Sequence, residues 1–524
     1  MTALLRLSFW QYSLFSAFCG IVLLITMWHP LSHAASSKDH LWGQALTGVD
    51  LAREETLTPL YSPTVMIVDS GFIRDQVSIG PAEQYGQNDG ELHDISHGTK
   101  VVNVMFGPLP FGFSTGLANP TIGLITTAAL SQKLPVNLTP DILCASVHIF
   151  RDTAEAFNNI ANRSVLVLAS GNDFPSELLE GEALPNPVNV PYINVGALSS
   201  KGVIASYSSR AKNLTAVAPS DSHFLYLKNA KGALENFNGT SAAQPIVCSA
   251  VQMLMTDLGK LTVDQVTTLI NNSSLPVLNN DRSSTGAGLI NFYKLRMITK
   301  RLRALGWDLN TEEKKKDLLL IEPTLYDFSA NISNKADFKD DRKSFFLNPT
   351  EKSALRLADD YKRMGLKERE TYYRSLSEPT SEFIRNSLSE TFDKDYRRDI
   401  YRAIGQNGPI EFPEIVTLAK SIDFHGDIWQ LELNYFLVSL FGLKAEQRFK
   451  VERILFDQLQ KLDGFHLWSV ASNFLKPLMC LPEANDIREK IDKMARFKMK
   501  KDYPVVFLGK CSREIPLPLI EPLD

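Results

Sequence analysis

Three short strings in the first half of the chain hold side chains that could act together: Asp69-Ser70-Gly71, His97-Gly98-Thr99 and Gly239-Thr240-Ser241-Ala242-Ala243. A serine hydroxyl is a poor nucleophile at neutral pH and needs a neighbouring imidazole to take its proton during attack. A carboxylate on the far ring nitrogen fixes the tautomer of that imidazole and stabilises the imidazolium that forms. Asp69, His97 and Ser241 supply these groups in the chain order Asp, His, Ser. That order separates the set from two other arrangements of the same chemistry, which run His, Asp, Ser and Ser, Asp, His. Each string alone is common, and Asp-Ser-Gly closes many ordinary turns. The signal is their joint occurrence.

The flanking patterns supply elements that would position these groups. Thr64-Val65-Met66-Ile67-Val68 is an apolar, β-rich run that stops at Asp69. It predicts a buried parallel strand with the carboxylate at its C-terminal end, where open α/β sheets place their sites. Gly98 to Val102 predicts a helix directly behind the imidazole, and Ala242 to Met255 an apolar helix with Ser241 at its N-terminus. Backbone N–H groups at such an end favour developing negative charge. Ser164 to Ser170 is a second buried-strand pattern that runs into Gly171-Asn172-Asp173. His93 and Asp94 read as loop residues, Ser70 and Asp173 as turn residues, and His223 is given no role.

Together these strings resemble the subtilisin-like serine protease family, over most of residues 60–296. Asn194 to Ala197, Ala205 to Ser209, Thr215 to Pro219 and Thr285 to Phe292 resemble later segments of that family. The resemblance implies an α/β fold with a mostly parallel sheet covered by helices on both faces. It implies a serine endopeptidase in which Asn172 gives its side-chain amide to the oxyanion, with the Ser241 N–H as second donor. It places Ser146, Val147, His148, Ala169, Ser170 and Gly171 along the substrate. The chemistry requires no cofactor; calcium occurs in the family, but no run here commits to a site. Two departures stand out. Asn103 occupies a position where the family usually has Gly, and Cys144 to Phe150 lacks the family's Ser-Leu-Gly, so substrate preference does not carry over. A non-catalytic binding protein on a protease-like fold, or an esterase or acyltransferase using the same site, are the alternative readings. The expected partner is a protein or peptide substrate, and a net charge of −4 argues against nucleic acid.

At 524 residues the chain exceeds what one hydrophobic core normally supports, and 44% hydrophobic with 22% charged residues is a globular composition. Arg6, an apolar stretch over residues 12–28 and Ser32-His33-Ala34 make residues 1–34 an expected signal peptide or membrane anchor. Either places the following domain outside the cytoplasm. Residues 35–300 are read as the protease domain, 301–349 as a charged linker and 350–524 as an α-helical domain, a partner-binding unit or an appendage packed on the protease. Only residues 35–60 precede the first candidate strand, which leaves no room there for a separate folding segment. The reading expects unaided folding or help from the C-terminal half. Cys144 and Cys248 read as small apolar core groups, and Cys480 with Cys511 as a possible disulfide in an oxidising compartment.

Overall fold

A computed structural model of the chain describes residues 39–378, except 80–81, 89–91, 116–119, 131–137, 148–153, 173–187, 206, 210–212, 221–224, 279–284, 307–325 and 329–336, together with residues 416 and 454. Helices α1 (Trp42–Thr47) and α2 (Val49–Glu54) lead into strand β1 (Thr64–Asp69). There follow β2 (Glu83–Tyr85), α3 (Leu92–Phe106), β3 (Thr121–Thr126), α4 (Thr127–Leu130), β4 (Ile142–Ala145), α5 (Ala154–Ala161) and β5 (Val165–Ala169). Next come β6 (Ile193–Leu198), β7 (Leu214–Pro219), the hairpin β8 (Leu225–Lys228) and β9 (Leu234–Phe237), then α6 (Thr240–Leu258), α7 (Val263–Ser273) and α8 (Phe292–Ala304). Helices α9 (Phe338–Leu347), α10 (Glu351–Arg363) and α11 (Lys367–Ser377) complete the described part.

Strands β1 to β7 form one sheet in the order β2-β3-β1-β4-β5-β6-β7, and every pairing in it is parallel. Strands buried on both faces read as unbroken apolar runs, and Thr64-Val65-Met66-Ile67-Val68 and Val165-Leu166-Val167-Leu168 do so. Their alternate residues serve two cores. Val65, Ile67, Cys144 and Val167 pack with α3 and α6, whereas Met66, Val68, Leu143 and Leu168 pack with α4 and α5. The sheet is therefore covered by helices on both faces, as the sequence predicts.

Two corrections concern what joins these layers. Cys144 on β4 and Cys248 on α6 are not separate apolar groups but form a disulfide across the sheet–helix interface. The stretch read as a charged linker contains α9, whose Phe345 and Phe346 are fully buried in the core shared with α6 and α8. Tyr361 of α10 and Tyr372 and Tyr373 of α11 are buried there too. The charges of these helices face the segment before β1: the Arg342 guanidinium donates to both oxygens of Asp50 at 2.7 and 3.0 Å, and Arg369 pairs with Asp39. Glu55 accepts from Lys300 of α8 at 2.7 Å and Lys343 of α9 at 3.1 Å. The expected boundary near residue 350 does not divide the packing of residues 338–377 from the sheet domain. The expected signal or anchor segment and the Cys480–Cys511 pair lie outside the described residues.

Candidate active site

The parallel register brings the sequence-selected groups to one edge of the sheet. Asp69 is the last residue of β1, opposite Thr126 at the end of β3. Val68 lies opposite Ala145, so Ser146 follows β4 beside Asp69, and Ser170 to Asn172 follow β5 one strand further along. His97 and Ser241 come from α3 and α6, which pack against each other over this edge. His93 and Asp94, expected in a loop, lie in the first turn of α3.

The Asp69 side chain is fully buried. Its Oδ1 accepts from the Ser70 N–H at 2.8 Å and the Ser70 hydroxyl at 3.1 Å, and lies 2.8 Å from His97 Nδ1. A carboxylate held in this way favours the tautomer with the proton on Nδ1, so that Nε2 is the nitrogen able to act as a base. The ring also meets Phe237 in a T-shaped contact, with centroids 5.2 Å apart. Gly98 is dictated by this approach: a Cβ there would stand 2.3 Å from the Gly71 carbonyl oxygen and 2.7 Å from Asp69 Cβ. Asn103, the departure from the family's Gly, is buried and useful in another way. Its Oδ1 accepts from the Ser78 N–H at 2.9 Å and its Nδ2 donates to the Gln76 carbonyl at 3.0 Å, so it pins the loop after Asp69 to α3.

Ser241 lies in the first turn of α6, entered through Gly239 at φ +82°. A side chain at residue 239 would be strained by that backbone and would come within 3.1 Å of Asn172 Nδ2. The Ser241 hydroxyl donates to the Ser146 carbonyl at 3.1 Å. Asn172 is exposed, and its Oδ1 accepts from the Thr240 N–H at 2.9 Å and the Thr240 hydroxyl at 3.1 Å. A backbone N–H can only donate, so this contact fixes the amide orientation and leaves Nδ2 as the end able to donate to a ligand.

The residues expected along the substrate divide. Ser146 is buried beside Ser241, Val147 is half-buried against the α5 side of the sheet, and His148 lies outside the described residues. Ala169 ends β5, while the Ser170 N–H donates to Val195 and the Gly171 N–H to the Thr240 hydroxyl at 3.2 Å. These last two hold the edge together with their backbone N–H groups. Sequence reasoning missed three contributors: Ser70, which binds the carboxylate; Thr240, which orients Asn172; and Gln244, buried one turn beyond Ser241. Gln244 carried a signal, being a polar residue in the apolar run of α6. Among the described residues no group of three or more His, Cys, Asp or Glu side chains is arranged to hold a metal ion.

Residues 75–301 match the model of the subtilase family, Peptidase_S8. Solved structures similar to the chain include MycP1 from Mycobacterium smegmatis, at 18% identity over 49% of this chain and 84% of that one, with a TM-score of 0.37. Another is the epidermin leader peptide processing serine protease EpiP from Staphylococcus aureus, at 17% identity over 49% of this chain and 80% of that one, with a TM-score of 0.40. No curated protein matches.

Proposed function

We propose that this chain is a serine endopeptidase that cleaves peptide bonds through an acyl-enzyme. Ser241 attacks the scissile carbonyl, His97 takes its proton and returns it to the leaving amine, and Asp69 holds the imidazole and stabilises its charged form. Asn172 Nδ2 donates to the oxyanion, with the Ser241 N–H at the α6 N-terminus as second donor. Water then repeats the attack on the acyl group, with His97 again as base. The observation that carries the reading is the 2.8 Å bond between His97 Nδ1 and the fully buried Asp69, at the sheet edge over which α6 sets Ser241 against the Ser146 carbonyl. Burying a carboxylate is costly unless it is hydrogen-bonded, and its bonds here are spent on orienting one histidine and one serine.

The apolar run of residues 12–28 and the Cys144–Cys248 bridge support an extracytoplasmic location, since disulfides persist in oxidising compartments. The test is cleavage of internally quenched peptides blocked at both ends by the full chain. Turnover that disappears in Ser241→Ala supports the proposal. Turnover of simple esters without any peptide cleavage would reassign the site to an esterase.

A further inference from the structure

Gln244 has no part in the chemistry just proposed, yet it is fully buried one turn beyond Ser241 on the same helix. A buried amide is costly unless both ends are hydrogen-bonded. Its Nε2 donates to the Val167 carbonyl of β5 at 3.0 Å and lies 3.3 Å from Cys248 Sγ. A carbonyl can only accept, so the amide orientation is fixed and Oε1 faces Ser146, whose hydroxyl donates to it at 2.7 Å. Ser146 in turn offers its own carbonyl to the Ser241 hydroxyl.

The contacts therefore close a ring: Ser241 to the Ser146 backbone, the Ser146 side chain to Gln244, and Gln244 back along α6 to Ser241. Pro245 adds a reason for the ring to exist. Its missing N–H would otherwise donate to the Ser241 carbonyl four residues earlier. The Ser146 hydroxyl stands 3.3 Å from that same carbonyl, so it covers the gap while its shorter bond goes to Gln244. Gln244 thereby joins the helix that carries the nucleophile to β5 and to the end of β4.

We infer that Gln244 is a positioning residue for Ser241, acting through Ser146 to fix where the nucleophile's hydroxyl rests before attack. The inference rests on the serine-peptidase reading above. Without the link the Ser146 carbonyl loses its anchor, the hydroxyl samples more positions, and fewer of them are poised for attack.

The experiment is the reaction of the full chain with a fluorophosphonate, comparing wild type with Gln244→Met, Ser146→Ala and the double variant. Each single variant is expected to lower the maximal labelling rate about 10-fold, with the half-saturating probe concentration and melting temperature nearly unchanged. The double variant is expected to be no slower than the slower single, because one link is broken twice. Labelling at the wild-type rate or faster, or multiplied effects in the double variant, overturns the inference. If Gln244→Met does not fold, Ser146→Ala, which removes one oxygen atom, decides alone by the same rate. A folded wild-type chain that takes no label overturns the serine-peptidase reading instead.

Discussion

At Asp69 one carboxylate oxygen meets the Ser70 N–H, the Ser70 hydroxyl and His97 Nδ1, so the histidine's orientation is set by a group that cannot itself swing. Asn172 stands differently: it is exposed, and its Oδ1 is engaged by Thr240. Asn172→Ala is therefore expected to keep the fold and to lower peptide turnover by about 10²–10³-fold, mostly in kcat, as loss of one oxyanion donor does. Steady-state kinetics beside a melting curve checks it. Asp69, His97, Ser241 and Asn172 were legible because each sits in a short string with its own strand or helix pattern beside it. Their supporting groups were harder to read, because hydrogen bonds reach across the chain. The Ser146–Gln244 bond spans 98 positions and the Gln244–Val167 bond 77, and no local pattern encodes such pairings.

Elements meet at fixed close approaches, and these make sharp predictions. At Gly98, α3 comes so near β1 that a methyl group would overlap the Gly71 carbonyl and Asp69. Gly98→Ala should move His97 away from Asp69, cutting turnover far more than a helix-interior Gly→Ala change elsewhere, as paired kinetics and melting curves would show. The bridge between β4 and α6 closes a loop with a sequence separation of 104. Replacing both Cys144 and Cys248 by Ala should lower stability by about 2–4 kcal/mol, measurable by denaturant unfolding. Strands β1 and β5 were legible from their unbroken apolar runs. The burial of helix α9 was not, because Lys339-Asp340-Asp341-Arg342-Lys343 reads as a solvated linker or helix face. In the fold those charges answer Glu54, Asp50 and Glu55, while Phe345 and Phe346 turn inward. Likewise the cysteine pairing depends on which strand faces which helix, which spacing alone does not fix.

Over the whole described molecule, residues 338–377 pack into the same core as the sheet domain and grip the segment before β1. Removing them would strip Phe345, Phe346, Tyr361, Tyr372 and Tyr373, all fully buried, from that core and bare the apolar surface they cover. A chain ending near residue 300 is expected to be insoluble or inactive, and soluble active protein of residues 35–300 would refute that role. Glu55 ties this arrangement together, and its bonds to Lys300 and Lys343 hold its carboxyl below the ordinary value. A depressed folded pKa contributes stability that is present above the unfolded value and lost as pH falls through the folded one. Melting temperature should thus fall on acidification below about pH 5, and Glu55→Gln should shallow that fall. The proposed chemistry stands or falls with Ser241 as an activated nucleophile. The most direct measurement is mass-spectrometric mapping of a fluorophosphonate adduct on the full-length protein. An adduct on Ser241 that vanishes in Ser241→Ala and falls sharply in His97→Ala is the predicted result. A folded chain with no adduct, or an adduct on another serine, would rule out Ser241 as that nucleophile.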